Sequence, residues 1–211
     1  FVDHHCHLLA LGTRQMQINL FGLKSLEQCL IAIQNYSNYF ESNITNSERS
    51  DDYHNSFYQG RMSLLTSQQK NKGMTVENLN KWIRGWGWNQ ELWKNKDFPT
   101  KKYLDKIFPD IPVYLTRVDG HSAWVNSEAL KIAGITKNTA NPKGGVILKD
   151  EKGEPNGILI DNAMQLVKQF IPELSYKQKK KAVSIALSEL VKNGITQIRN
   201  MDLSLEQYKI L

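Results

Sequence analysis

Cysteines, prolines and long apolar runs are scarce in this chain, and each scarcity removes a class of protein. Two cysteines, Cys6 and Cys29, stand among 211 residues, so no disulfide framework carries the fold. Cys6 lies between two histidines, which suits a reducing compartment, and a cytoplasmic location is the expectation. Six prolines and 13 glycines are too few for a collagen-like or proline-rich chain. No apolar run approaches the roughly 20 residues that a membrane span needs. A basic leader is missing too: Phe1 opens a strand-like apolar segment directly, which reads as a start inside a larger chain. A complete (β/α)8 barrel usually takes about 250 residues, more than are present.

What remains is ordinary globular material, 40% hydrophobic and 23% charged, enough for a core and unlike a disordered chain. The net charge of +6 raises nucleic acid as a partner. The only dense basic run is Lys177, Lys179, Lys180 and Lys181, and no aromatics interleave with it to stack bases. Nucleic acid and membranes are therefore not expected as partners, whereas a small molecule is; an oligomer stays open.

Strand and helix patterns alternate along the chain. Phe1–His7 reads as a buried strand. Ser25 with Gln28 forms a capping box before a helix whose apolar face is Leu26, Cys29, Leu30, Ile33 and Tyr36 or Phe40. Residues 42–60 are polar and aperiodic, a loop, followed by a helical stretch over Arg61–Lys70. Trp82–Trp88 and Pro112–Asp119 read as strands, and Lys101–Phe108 and Asn126–Ala133 as short helices, the latter stopped by Gly134. Gly145–Lys149 and Gly157–Ile160 flank a turn as a β-hairpin. Helices follow over Asp161–Phe170 and Ser175–Asn193, the second with a Ser175/Gln178 capping box, the apolar face Val183, Ala186, Leu187 and Leu190, and Gly194 at its C-terminal end; a strand over Ile195–Met201 and the start of a helix at Leu203 come next. Strands separated by helices imply a parallel sheet. The fold class is α/β: about the first four β-α units of a partial (β/α)8 TIM-type barrel, with an inserted hairpin over 142–160 and a loop and helix insertion over 42–75.

Chemistry concentrates in Asp3-His4-His5-Cys6-His7. Strand side chains alternate faces, so Asp3, His5 and His7 share one. Two imidazoles at i and i+2 near a strand's C-terminal end can meet on one metal ion; imidazole suits zinc, iron and nickel, and Asp3 can orient a ligand from behind. The alternative is a histidine-rich strand end with no metal. A second group, Arg117-Val118-Asp119-Gly120-His121, ends another strand, with Arg117, Asp119 and, if the extension holds, His121 on one face. Its plain reading is a capping Asp and a loop His. Trp82, Trp86 and Trp88 fall on one strand face by parity. Core packing is the favoured role, and the wall of a substrate pocket the alternative.

These residues carry a resemblance. FVDHHCHLLALG resembles the metal-binding opening of amidohydrolase superfamily enzymes. WIRGWGWNQELW, FPTKKYLDKIFPDIPVYLTRVDGHSAWVNSEALKIAGI and PKGGVILKDEKGEPNGILID resemble the YtcJ-like branch, amidohydrolase family 3, which includes N-substituted formamide deformylases. The resemblance runs from Phe1 to about Asp202. It implies that residues 1–211 are the N-terminal portion of an amidohydrolase barrel domain, with His5 and His7 as metal ligands. It further implies a divalent cofactor, zinc foremost, and hydrolysis of non-peptide C–N bonds in amides or formamides by a metal-activated water. Asp119 and His121 fall on the family's DGH segment and Asn126 on its VNS segment; with Arg117 and Trp88 they are the expected substrate contacts. His4 stands where the family usually has a small residue, and Asn89 where GWDQ is commoner. Further ligands and the acid/base group are expected beyond Leu211, which leaves this stretch inactive alone and the edge of its fourth strand open. The alternative from another class is a non-catalytic half-barrel that binds a metal or a partner.

Overall fold

A computed structural model describes residues 1–44, 82–201 and 208–209. Along the chain these form β1 (Val2–Cys6), α1 (Leu8–Gln15), β2 (Ile18–Asn19), α2 (Leu26–Ile44), β3 (Ile83–Trp88), α3 (Lys101–Ile107), β4 (Val113–Arg117), β5 (Ser122–Val125), α4 (Ser127–Ile132), β6 (Gly145–Lys149), β7 (Pro155–Asp161), α5 (Met164–Lys168), α6 (Tyr176–Lys192) and β8 (Gln197–Asn200). Helix α2 runs on to Ile44 where the sequence pattern suggests a loop from 42; the rest of that loop, the Arg61–Lys70 helix and nearly all of the helix from Leu203 lie outside the described residues. No helix among the described residues is long and apolar enough to cross a membrane. The elements divide into two units, Phe1–Asn19 with Glu173–Leu211, and Leu20–Pro172.

The first unit joins the two ends of the chain. β1 and β8 pair in parallel, Val2 beside Gln197 and Cys6 beside Asn200, with an irregularity between Asp3 and Cys6. Cys6, Leu8, Val183, Ala186 and Leu190 form its core. Leu187, expected on that face, is exposed, so the buried stripe is narrower than the sequence spacing suggests. Helix α6 starts as its sequence predicts: Ser175 Oγ accepts from the Gln178 amide and Gln178 reciprocates to the Ser175 amide. Helices α1 and α6 cross so closely that a Cβ on Gly12 would lie 1.8 Å from the Ala182 carbonyl oxygen. Only a residue without a side chain permits that approach.

In the second unit the strand order is β3-β4-β5-β7-β6. Only β3 and β4 are parallel; β4–β5, β5–β7 and β7–β6 are antiparallel. The sheet is therefore mixed, not parallel as expected. The cause is β5, which strand patterning does not reveal because all four of its residues are buried and Ala123, Trp124 and Val125 follow one another with no polar residue between them. Gly120, at φ +78°, turns the chain directly back after β4, and a strand reached by so short a turn pairs antiparallel. The predicted hairpin is present as β6–β7. Helices α4 and α5 supply Ala129, Leu130, Ile132 and Val167 to a core with Tyr114, Ala123, Val125 and Leu159, each large apolar side chain contributing roughly 1.5–3 kcal/mol by burial. At α2, Ser25 Oγ accepts from the Gln28 amide at 3.1 Å, but the Gln28 side chain returns to the Lys24 amide at 2.7 Å, one residue earlier than in a standard capping box.

Strand β3 breaks the parity that put three tryptophans on one face. Trp86 is level with Thr116, yet Trp88 is level with Arg117, so two residues of β3 span one step of β4. Gly87, at φ +96°, takes up the extra residue. Trp86 stacks on Phe21, while Trp88 turns to the other side and packs on Trp93, Phe98 and Trp124.

Candidate active site

His5 and His7 stand at the C-terminal end of β1. Their rings meet edge to face with centroids 5.1 Å apart, and both residues are exposed. Three contacts place them. The His5 amide donates to Asp3 Oδ1 at 3.0 Å, so Asp3 fixes the backbone here, whereas the sequence suggested an imidazole partner. The Met201 amide donates to the Cys6 carbonyl at 2.8 Å. The Leu8 amide, first in α1, donates to Asn200 Oδ1 at 3.0 Å; His7 is the N-cap of α1 but makes no capping bond. Asn200 thus completes the helix start that His7 leaves open, a role hidden in sequence because the two residues are 192 positions apart. Cys6 is buried between the histidines and packs in the core with Leu8, Val183, Ala186 and Leu190; burial first, and the neighbouring Asp3 carboxylate second, push its thiol above the ordinary value. Two imidazoles this close suit two positions on one cation. Among the described residues no group of three or more His, Cys, Asp or Glu side chains gathers for a metal.

The second constellation lies in the other unit, at the end of β4. Val118–His121 is a turn rather than an extension of the strand. The Arg117 guanidinium is spread over three acceptors: Gln90 Oε1 at 2.9 Å from Nε, Asp119 Oδ2 from Nη1, and Asn89 Oδ1 at 3.4 Å from Nη2. The other Asp119 oxygen accepts the His121 amide at 2.9 Å. Partial burial by itself would raise the Asp119 carboxyl; the His121 amide and the Arg117 charge outweigh it and hold the group below its ordinary value. His121 donates from Nδ1 to Asp161 Oδ1 at 2.9 Å, because a carboxylate oxygen only accepts. The Asp161 amide returns to the His121 carbonyl at 2.9 Å, with Asp161 itself at φ +48°, uncommon for a residue with a side chain. Gln90 and Asp161 are the members that sequence reasoning missed. Gln90 is adjacent to the Trp88-Asn89 pair, its only signal, and Asp161 lies where the sequence pattern predicts a helix start.

Two expected substrate contacts prove to be internal. Trp88 is fully buried and donates its indole N–H to the Leu115 carbonyl at 2.9 Å. Asn126 is fully buried as well and uses its whole carboxamide on backbone, accepting from the Val113 and Ala129 amides and donating to the Phe108 and Ile111 carbonyls. Neither offers an atom to a ligand; the first packs the sheet and the second clasps β4 to α4. Arg117 and Asp119 are committed mainly to each other and to neighbours. His121, with its side chain 74% exposed, is the member of the group most open to a ligand.

A family model described as the amidohydrolase family matches residues 1–211. The chain belongs to the amidohydrolase family. It is 33% identical over 204 residues to a Bacillus subtilis (strain 168) protein named "Putative amidohydrolase YtcJ", a match covering 97% of this chain and 32% of that protein. Over 86 residues it is 34% identical to the N-substituted formamide deformylase of Arthrobacter pascens, covering 41% of this chain and 16% of the enzyme. An uncharacterized metal-dependent hydrolase from Pyrococcus horikoshii has a similar fold, with a TM-score of 0.57 at 21% identity, over 100% of this chain and 32% of that one. This amidohydrolase-family chain thus spans about a third of the length of the first curated relative and of the solved structure.

Proposed function

We infer that this chain contributes the metal-binding strand of a metal-dependent hydrolase acting on non-peptide C–N bonds in amides or formamides, within about the first four β-α units of a partial (β/α)8 barrel. The observation that carries the reading is the meeting of the His5 and His7 rings at the end of β1 in a chain of the amidohydrolase family. The printed names of its relatives, an amidohydrolase and a formamide deformylase, support the substrate class, and the name of its structural neighbour supports a divalent metal.

His5 and His7 would hold that metal, zinc foremost, with further ligands from the part of the relatives that this chain does not span. When bound, the metal supplies Lewis acidity toward a carbonyl and acidifies water toward neutrality. The chain's own residues have narrower tasks. Asp3 and Asn200 fix the backbone on either side of the two imidazoles. Arg117 and Asp119 hold the turn that carries His121 in the other unit, where its exposed ring is open to a ligand. The reaction adds water across the carbonyl carbon and breaks the C–N bond, releasing a carboxylic acid and an amine.

The test uses the protein that carries this chain. After chelation and reloading with zinc, bound metal is measured by mass spectrometry, and amine release is followed with N-substituted formamides. His5→Ala and His7→Ala should each lower both metal content and turnover, by at least the roughly 10–100-fold that loss of a ligand's outer-shell partner costs. Wild-type metal content and turnover in both variants would refute the assignment.

A further inference from the structure

Among the described residues, the early part of the β3–β4 pair holds three donor side chains, those of Trp82, Arg84 and Tyr114, that find no acceptor. Arg84 is level with Tyr114 in the parallel register, which puts both side chains on one face of the sheet. Trp82 precedes Arg84 by two residues and lies in the same core cluster as Tyr114. Trp82 is 8% exposed and Tyr114 5%, yet among the described residues neither the Trp82 Nε1–H nor the Tyr114 hydroxyl has a hydrogen-bond partner. None of the ion pairs among the described residues involves Arg84. Burial lowers the pKa of its guanidinium and raises that of the Tyr114 phenol, each shift partly opposed by the other group.

Buried donors are nearly always paired, and a buried cation ordinarily has a counter-charge. The indole and the guanidinium can only donate, and the phenol can donate, so the missing component is an acceptor of negative charge. One cation calls for a single charge. A guanidinium fork matches two oxygens in a plane, and the phenol and indole can serve their remaining lone pairs. Those requirements describe a carboxylate. Arg84 retains partial exposure, which leaves a route from solvent. The group is separate from His121, which follows the far end of β4.

The geometry points to a carboxylate-binding site formed by Arg84, Tyr114 and Trp82, taking a small free carboxylate. This does not depend on the hydrolase reading. The probe is sodium acetate, titrated into the full chain labelled at the indole nitrogens, with ionic strength held constant by sodium chloride. The Trp82 indole cross-peak, assigned through Trp82→Phe, should move saturably. Arg84→Met should weaken acetate binding at least about tenfold, the scale of a lost charged hydrogen bond, and Tyr114→Phe should weaken it by a few-fold. Acetate should also raise the thermal midpoint of the wild type but not of Arg84→Met. Arg84→Lys, which keeps the charge, serves if Arg84→Met fails to fold, and it should bind acetate more weakly than the wild type. An unmoved indole signal, an equal response to chloride, or wild-type affinity in the Arg84 variants would each overturn the proposal.

Discussion

Replacing Asn126 by Ala should unfold the second unit far more readily than an exposed substitution would. The carboxamide accepts from the Val113 and Ala129 amides at 3.0 Å each and donates to the Phe108 and Ile111 carbonyls at 2.8 Å each, with no exposure to solvent. Truncation orphans two buried N–H groups, at about 1–3 kcal/mol each. The two carbonyls add less, since each keeps a second lone pair. The sum is about 3–6 kcal/mol, a large share of the roughly 5–15 kcal/mol that a domain possesses. Urea unfolding followed by tryptophan fluorescence isolates the effect, because all five tryptophans fall within Leu20–Pro172. With a urea slope near 2 kcal/mol/M, the midpoint should fall by about 1.5–3 M. Ser127→Ala, which loses an exposed hydroxyl bond to Asp105 at 2.8 Å, should shift it by less than about 0.5 M. If Asn126→Ala moved the midpoint no further than Ser127→Ala, the structural role assigned to Asn126 would be wrong.

Three further outcomes follow from the packing and the charges. Burial pushes the Cys29 thiol up to about 12 from an ordinary 9.0; the unfolded chain therefore ionises first, and stability should fall by up to about 1.4 kcal/mol per pH unit over that interval, a slope that Cys29→Ala should flatten. Gly12→Ala places a methyl 1.8 Å from the Ala182 carbonyl oxygen, so α1 and α6 must separate; amide exchange in α1 should speed up by tenfold or more, matching an overpacking cost of about 1–3 kcal/mol. The Asp119 carboxyl is held low, so its stabilising effect is complete above the ordinary carboxyl range and disappears as acid titrates it below that range. A carbon-detected titration of Asp119 with a midpoint at or above its ordinary value would contradict this sign.

Local chemistry was legible where it is self-contained. The Ser175 capping box, the β6–β7 hairpin and the Gly134 and Gly194 helix stops depend on residues a few positions apart, and all are present. The convergence of His5 and His7 could also be read from spacing alone. What spacing conceals is long-range. Asn200 supports Leu8 across 192 residues and Gln90 supports Arg117 across 27. A two-for-one bulge at Gly87 overrides the even-number parity of the tryptophans. β5 escaped notice because a strand buried on both faces has no alternation to reveal it.

The pairing of β1 with β8 carries a kinetic consequence. Val2 waits for Gln197, and the backbone beside His7 waits for Asn200, so some 195 residues must be made before the histidine strand has its neighbour. At about 5–20 residues per second, that is roughly 10–40 s during which the two imidazoles belong to an unpaired segment. The second unit, continuous in sequence, is complete sooner. On the metal assignment proposed above, capture is then a late event in biogenesis, and damage to β8 should appear first as a slow acquisition of metal by newly made chains.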